Sequence, residues 1–170
     1  MRYLGGWRMA ASMILTDRYF LEYGPSLVDP WDPALVNPAS LDLRMGVTAL
    51  VLGSDHLPQP VDLAASYGHP PQQTLLLSTL ETVRIPVDCA GIVRLKSSSA
   101  RAGWRLAGAE FLDPGFEGII TLSLSHGATD PIEVTVGKRF AQLILLRTEG
   151  TALAAYQGKY QGATQVQEAK

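Results

Sequence analysis

One carboxylate, that of Asp113, precedes a Pro-Gly pair and an alternating stretch that is typical of a strand. Asp-Pro-Gly is typical of a type II turn, and an Asp at its start can simply cap the turn. The same position suits a general base, because a turn at the start of a strand can present the carboxylate to a bound water. Glu110 and Glu117 are near in sequence, and alternation places Glu117 on the turn, exposed to solvent.

A second polar cluster, RLKSSSARAG, runs from Arg94 to Gly103. Lys96, three serines and Arg101 offer hydroxyls, backbone N–H groups and two cations, a combination that binds phosphate oxygens. The same residues also fit an ordinary polar turn that leads into a short helix with serine caps. The sequence has no Walker pattern and no G-x-G-x-x-G motif after a strand, so neither common nucleotide-binding fold is indicated.

The third stretch is YQGKYQGATQ, from Tyr156 to Gln165, which carries two tyrosines, a lysine and several glutamines. Such a tail can close over a bound base and its phosphates as a lid, or it can be a frayed terminus. It has too few apolar residues to fold by itself, so we expect it to be disordered or to be ordered by a ligand. The histidines lack metal-ligand spacing and Cys89 has no partner pattern, so neither a metal cluster nor a nucleophilic cysteine is indicated.

The composition indicates one globular domain, since 46% of the 170 residues are hydrophobic and 18% are charged. A net charge of −2 argues against bulk binding of nucleic acid or anionic membranes, yet it allows a local basic pocket for phosphates. The longest apolar runs fall far short of the roughly 20 residues that a membrane helix needs. A single cysteine excludes a disulfide within the chain, and we expect a reducing cytoplasm.

Residues 1–12 are interpreted either as an N-terminal extension or as the product of an upstream start codon, because MILTDRYFLEYG, from Met13, looks like a better start for the domain. We predict a helix of at most two turns over Thr16–Tyr23, ending before Gly24 and Pro25. An irregular proline-rich loop should follow. Strand patterns then dominate, and they predict an all-β barrel or sandwich that spans residues 13–155, followed by a tail at 156–170. The predicted strands are 40–46, 47–54, 74–86, 91–98, 118–125, 132–137 and 140–148.

Six stretches, in this order, resemble the dCTP deaminase/dUTPase superfamily, and more closely its deaminase branch. The resemblance covers residues 13–165, nearly the whole chain. The stretches are MILTDRYFLE, VNPASLDLRMG, TLLLSTLETVRIPVDCAGIVRLKSSSARAG, GAEFLDPGFEGIITLSL, VGKRFAQLILL and AAYQGKYQG. The resemblance implies an all-β, distorted β-barrel or jelly-roll-like fold (the dUTPase-type β-clip) with a short N-terminal helix. It also implies a homotrimer with active sites between subunits.

The resemblance further implies roles for particular residues. Asp113 matches the aspartate that activates water, and Gln142 matches a glutamine near the α-phosphate. Arg101 is expected to reach the active site of a neighbouring subunit. The residues expected to contact the triphosphate are Lys96, Ser97 and Ser98, with Tyr156, Lys159 and Tyr160 at lid positions. The segment expected to read the pyrimidine through its backbone is Gly108, Ala109, Glu110, Phe111 and Leu112. Magnesium would be held mainly by the phosphates, so no protein ligand pattern is expected.

Three positions depart from the deaminase pattern. Lys96 stands where that branch usually has arginine, which keeps the charge but loses the bidentate fork. Deaminases carry a glutamate ten residues after the aspartate, and here that position is Ser123, which cannot shuttle protons at neutral pH. The loss of a general acid/base costs roughly 10²- to 10⁴-fold in rate. A lid glutamine of the family is replaced by Ala163, with Gln161 and Gln165 nearby.

Three readings remain open. The first is hydrolysis of dUTP to dUMP and pyrophosphate, with Asp113 activating water, since dUTPases lack the deaminase glutamate. The second is deamination of dCTP by a relocated carboxylate, with Glu110 as the candidate. The third is a nucleotide-binding paralogue with impaired catalysis. The alignment of this strand with the family requires Ser123 to face the same pocket as Asp113. Alternation predicts that Thr121, Ser123 and Ser125 share one face of their strand.

Overall fold

A computed structural model describes residues 14–53, 57–64, 67–108 and 111–168 of the chain. The N-terminal extension and two members of the base-reading segment, Ala109 and Glu110, lie outside the described residues. Within these ranges the helices are α1 (Asp17–Leu27) and α2 (Ser97–Arg101), and a 3₁₀ turn covers Pro33–Leu35. No helix among these residues is long and apolar enough to cross a membrane.

Strands make up about half of the described structure and far exceed the helices, as the sequence predicts. They are β1 (Val28–Asp29), β2 (Val36–Asn37), β3 (Ser40–Leu52), β4 (Pro58–Val61), β5 (Tyr67–His69), β6 (Thr74–Arg84), β7 (Cys89–Leu95), β8 (Trp104–Leu106), β9 (Phe111–Leu112), β10 (Glu117–His126), β11 (Ile132–Val134) and β12 (Arg139–Arg147). The main sheet has the order β8-β10-β6-β3-β12-β7-β9, with β1 on β6 and with β2 and β4 on β3. Its strands pair antiparallel and it curls around the core, while β5 and β11 form a separate ribbon.

The alternation predicted for β10 is confirmed. Ile120, Leu122 and Leu124 are buried in the core, whereas Thr121 and Ser123 lie on the opposite, half-buried face. A strand places successive side chains on opposite faces, so this burial pattern shows which side chains of β10 point away from the core. The consequence for the site is that Ser123 and Thr121 project from the same surface.

The two strands predicted at 40–46 and 47–54 are one long strand, β3, and this part of the prediction is wrong. The register between β3 and β6 shifts between Met45 and Ala49, which lets one strand bend and continue. Gly46 lies at the bend against Ser78, whose hydroxyl would be 2.3 Å from a Cβ at position 46. The same hydroxyl accepts from Thr48 N and donates to Thr48 O, so it replaces the interrupted ladder bonds.

Helix α1 is longer than predicted, because it runs through Gly24 and Pro25 and ends at Leu27. Its buried face consists of Phe20, Gly24 and Leu27, which recur at helical spacing. The ring of Trp31 lies so close to Gly24 that a Cβ there would be 2.1 Å from it. Packing of this face therefore outweighs the cost of Pro25, which lacks the N–H that would donate to the carbonyl four residues earlier.

Candidate active site

The turn between β9 and β10 presents Asp113. The carbonyl of Asp113 accepts a hydrogen bond from Phe116 N (3.1 Å), and Gly115 has φ of +83°, so residues 113–116 form the predicted type II turn. Glycine is required at this position because its φ is positive. The Asp113 side chain is exposed and makes no hydrogen bond to residues 113–116, so capping does not occupy the carboxylate.

A cavity of about 650 Å³ opens beside this turn. Asp113 and Ser123 both line it, so the expected facing of Ser123 is confirmed. Of the described members of the base-reading segment, Phe111 and Leu112 line the cavity and Gly108 does not. The full lining is Leu52, Pro58, Leu76, Phe111, Leu112, Asp113, Phe116, Ile119, Ile120, Thr121, Ser123, Tyr156, Tyr160, Ala163, Gln167 and Glu168.

Most of these side chains are apolar or aromatic, and only a few polar groups converge on the space. Such a wall is typical of small-molecule pockets, in which apolar surface covers a flat ring and a few polar groups orient it. The polar groups from the sheet are those of Thr121, Ser123 and Asp113. Asp113 is thus the one carboxylate that the described part of the sheet and its turns contribute to the cavity.

The C-terminal tail docks on its own domain beside the cavity, which the sequence did not indicate. Tyr156 N donates to Pro114 O (2.8 Å), and the Tyr156 ring packs on Phe116 with centroids 5.8 Å apart. Farther along, Ile119 N donates to Ala163 O (2.8 Å). These contacts place both lid tyrosines, Tyr156 and Tyr160, on the cavity wall.

Gln161 is the main side-chain anchor of the tail. Its amide oxygen accepts from Glu117 N (2.9 Å), and its amide nitrogen donates to Gly115 O (3.0 Å). Both ends of the amide are therefore used for docking, and in this arrangement Gln161 does not offer them to a ligand. Sequence reasoning noted Gln161 only as a neighbour of Ala163, because nothing in the local pattern reveals which backbone groups it meets.

The predicted phosphate-binding turn begins α2, with Lys96 at the N-cap position. The predicted short helix and the predicted phosphate binding by this turn are compatible with each other in the structure. Ser97 and Ser98 are exposed, whereas Ser99 is buried and donates to Phe140 O (2.8 Å). Ser99 therefore fastens α2 to β12, and the two preceding serines keep their hydroxyls at the surface. Arg101, at the end of α2, is exposed as well.

Lys96 is paired with a buried carboxylate that the sequence analysis missed. Its ammonium lies 2.6 Å from both oxygens of Asp42, which is only 1% exposed. Asn37 Nδ2 donates to the same carboxylate (2.8 Å), and Arg139 lies 3.8 Å away. Lys96 and Arg139 carry two positive charges beside the single negative charge of Asp42, so the cluster keeps a net positive charge near α2. Asp42 and Asn37 both stand inside the motif VNPASLDLRMG, but the cations that pair with Asp42 come from distant elements.

Gln142 lies on the same sheet as this cluster. On β12 it is the cross-strand neighbour of Asp42 in β3 and of Arg94 in β7. The cavity is lined by Phe111 and Leu112 of β9, which pairs with β7 at Gly91 and Ile92. At the usual strand rise, the four residues from Ile92 to Lys96 span about 13 Å.

Lys96, Ser97, Ser98, Arg101 and Gln142 are all absent from the cavity lining. One chain therefore carries two separated groups of predicted site residues. We call them the carboxylate half-site, around Asp113 and Ser123, and the phosphate half-site, around α2 and Gln142.

The other titratable side chains that attract attention lie away from the cavity lining. His69 and His126 are buried with Trp104, and His126 Nε2 lies 2.9 Å from His69 O. Burial lowers the pKa of His69.

Burial, followed by the charge of Asp88, raises the pKa of Cys89 to about 11, so its thiol stays protonated and is a poor nucleophile. No cluster of three or more acidic, His or Cys side chains suited to a metal occurs among the described residues.

Comparison with known proteins agrees with this fold. The family model described as dCTP deaminase-like matches residues 15–148. A dCTP deaminase of Pyrococcus furiosus is 35% identical over 140 residues, which cover 82% of this chain and 87% of that protein. A protein of Acidothermus cellulolyticus named "dCTP deaminase, dUMP-forming" is 35% identical over 173 residues, covering 88% of this chain and 91% of that one.

Among solved structures, the crystal structure of 2′-deoxycytidine 5′-triphosphate deaminase from Agrobacterium tumefaciens superposes with a TM-score of 0.70. The match covers 80% of this chain at 22% identity, and it spans about half (48%) of that protein. At this identity the likeness concerns the fold, and it confirms the mainly β, dUTPase-type architecture expected from the resemblance.

Proposed function

The chain belongs to the dCTP deaminase-like family, and from that premise we propose that it hydrolyses dUTP to dUMP and pyrophosphate. The observation that carries the proposal is that Asp113 and Ser123 line one cavity. The cavity therefore has an available carboxylate at the turn, while a hydroxyl stands where a deaminase has its glutamate. Hydrolysis of the triphosphate needs the carboxylate of Asp113 and does not need a glutamate at position 123.

In the proposed mechanism the uracil ring lies against the apolar wall, and the backbone around Phe111 and Leu112 reads its edge. Asp113 accepts a proton from a water whose oxygen attacks the α-phosphorus. The bond from that phosphorus to the α,β-bridging oxygen breaks, and pyrophosphate leaves with the electron pair. A positioned general base contributes roughly 10²- to 10⁴-fold to such a step.

The triphosphate is bound by the phosphate half-site: Lys96 supplies a fixed charge, Ser97 and Ser98 supply hydroxyls, and Gln142 lies near the α-phosphate. Because the two half-sites are separated within one chain, we propose that they meet between neighbouring copies of a homotrimer. Arg101 would then reach the carboxylate half-site of the next subunit. The tail supplies Tyr156, Lys159 and Tyr160 as a lid over the nucleotide.

The described residues offer no acidic cluster for a dedicated metal, so we propose that magnesium enters with the nucleotide and is held mainly by its phosphates. Bound there, it would offset the negative charge that grows on the pyrophosphate. The residues of the chain then position the phosphates and move the proton of the attacking water.

Deamination of dCTP is the second candidate, and the names of the relatives favour it. The Pyrococcus furiosus relative is named dCTP deaminase, and the Acidothermus cellulolyticus relative has dUMP as the product in its name. The expected proton donor at position 123 is absent, and Glu110, the substitute suggested by the sequence, lies outside the described residues. The reaction therefore requires another carboxylate in the cavity.

The experiment is to incubate the purified full chain with Mg²⁺ and either dUTP or dCTP, and to resolve nucleotides by ion-exchange chromatography. dUMP and pyrophosphate from dUTP support the proposal, and Asp113→Asn should slow their formation roughly 10²- to 10⁴-fold with dUTP binding retained. Asp130→Asn, in the exposed loop after β10, is the matched control and should leave the rate unchanged. Unimpaired hydrolysis by Asp113→Asn would contradict the role of Asp113, and binding of dUTP without turnover would contradict the activity.

A further inference from the structure

The last described residues of the tail form a strap, Gln165–Glu168, across the outward face of the sheet. Val166 N donates to the hydroxyl of Thr48 in β3, and Gln167 N donates to the hydroxyl of Thr121 in β10, each at 2.9 Å. Two side chains from different strands therefore hold consecutive backbone N–H groups of the strap. This anchoring fixes where the next residue, Glu168, leaves the sheet.

Glu168, which is exposed, lies on the wall of the cavity of the carboxylate half-site. It lines the same space as Asp113 and Ser123, and Gln167 lines it too. Thr121, to which the strap is tied, is two residues before Ser123 on the same face of β10, a separation of about 7 Å along the strand. The strap thus brings a carboxylate to the part of the wall where the sheet itself offers only hydroxyls.

A second cavity, of about 470 Å³, lies on the other side of the strap. Pro58, Gln167 and Glu168 line both cavities. The strap therefore lies between the two cavities, and Glu168 is exposed where they meet. A carboxylate at this position is accessible to a ring that binds in the first cavity.

We propose that Glu168 is a catalytic residue that takes the place of the glutamate missing at position 123 in deamination of the cytosine ring of dCTP, the reaction for which the relatives are named. Glu168 accepts a proton from the water whose oxygen adds to C4 of the ring, and it passes that proton to N3. It then moves a second proton from the added hydroxyl to the amino group. The C4–N bond breaks, ammonia leaves, and C4=O forms with the proton retained on N3.

Asp113 and Glu168 then have separate tasks in one cavity. Asp113, on the turn, serves the water that attacks phosphorus, and Glu168, on the strap, serves the water that attacks the ring. Ser123 stays beside the ring as a hydroxyl and takes no proton. The inference rests on the proposed binding of a pyrimidine nucleotide in this cavity, but not on the hydrolytic step.

The test measures ammonia released from dCTP by the full chain in the presence of Mg²⁺, with dUMP formation from dUTP followed in parallel. Glu168→Gln keeps the size of the side chain but cannot carry the proton. It should lower kcat for ammonia release roughly 10²- to 10⁴-fold with little change in KM, and should affect dUMP formation much less. Glu149→Gln, an exposed glutamate after β12 that lies outside the cavity lining, is the control and should behave as the unmodified chain does.

A second variant distinguishes chemistry from structure. Adding Ser123→Glu to the Glu168→Gln chain puts a carboxylate on the wall of the cavity and should restore ammonia release. Wild-type rates in Glu168→Gln overturn the proposal, as does an unmodified chain that binds dCTP and releases no ammonia. Failure of the hydrolytic proposal gives a different result. In that case dUTP yields no dUMP, while ammonia release from dCTP still depends on Glu168.

Discussion

Asp42 shows how a single buried charge supports the phosphate half-site. Its carboxylate is 1% exposed and accepts from Lys96 and Asn37, with Arg139 farther away. A buried carboxylate is costly unless it is paired and hydrogen-bonded, and here each oxygen has a partner. Because Lys96 starts α2, the pair also fixes the lysine that we expect to meet the phosphates.

We predict that Asp42→Asn destabilises the chain by about 2–4 kcal/mol, because the ammonium of Lys96 loses its counter-charge in a site that is mostly shielded from solvent. Urea denaturation of the variant and the unmodified chain measures the difference. Glu117→Gln is the matched control, since it breaks the exposed pair with Arg84, whose side chain is 40% exposed, and should cost under about 1 kcal/mol. Equal stability of the two variants would contradict the structural role given to Asp42.

The residues of the site also show where sequence reasoning stops. Ser97, Ser98 and Ser99 are identical in type and adjacent, so the sequence cannot say which of them is available to a ligand. The answer depends on the approach of β12, whose Phe140 carbonyl accepts the hydroxyl of Ser99. The turn that presents Asp113, in contrast, was predictable, because the Pro-Gly pair after Asp113 dictates a local turn that needs no distant partner.

At the scale of elements, the turn 113–116 is also the docking point of the tail. A Cβ at Gly115 would be 2.5 Å from the Cβ of Ala155 and 3.1 Å from Tyr156 N. The glycine thus serves two purposes, a positive φ and a close approach of the tail backbone. The tail and the turn that presents Asp113 are therefore in direct contact in this arrangement.

We predict that Gly115→Ala weakens tail docking, because the new methyl group pushes Ala155 away from the turn. Cleavage by trypsin after Lys159, followed by mass spectrometry of the native protein, should become faster. Gly137→Ala is the matched control: Gly137 also has a positive φ (+79°), but a Cβ added there would meet nothing within 4 Å. It bears the same backbone cost of about 1–2 kcal/mol without touching the tail, so cleavage at Lys159 should not change. Equal acceleration in both variants would assign the effect to general destabilisation.

Helices and strands were predictable from the sequence where a single local pattern of residues determines them. The alternation of β10 needs only the core on one side, and it gave the correct face for Ser123. Helix α1 and strand β3 were mispredicted at glycines, because Gly24 and Gly46 make room for Trp31 and Ser78, residues that no local pattern links to them. The docked tail was missed for the same reason, since its anchors, Gln161 among them, bind backbone groups of a distant turn.

At the scale of the whole molecule, the separation of the half-sites is the fact that most constrains the activity. A single chain places Asp113 in the cavity and leaves Arg101 exposed on α2, outside the cavity lining. Cyclic assemblies repeat one heterologous contact, so each copy can offer its phosphate half-site to the carboxylate half-site of the next. Every site would then be built from two chains.

This arrangement predicts complementation between two inactive variants. Asp113→Asn removes one half-site and Arg101→Ala removes the other, and each variant alone should form dUMP far more slowly than the unmodified chain. If the two are co-expressed in equal amounts and assemble at random into trimers, about one site in four combines two intact halves, so about a quarter of the normal rate should return. Each variant expressed alone at the same total concentration is the control. A mixture no faster than its components would mean that Asp113 and Arg101 act within one chain or that Arg101 lies outside the site.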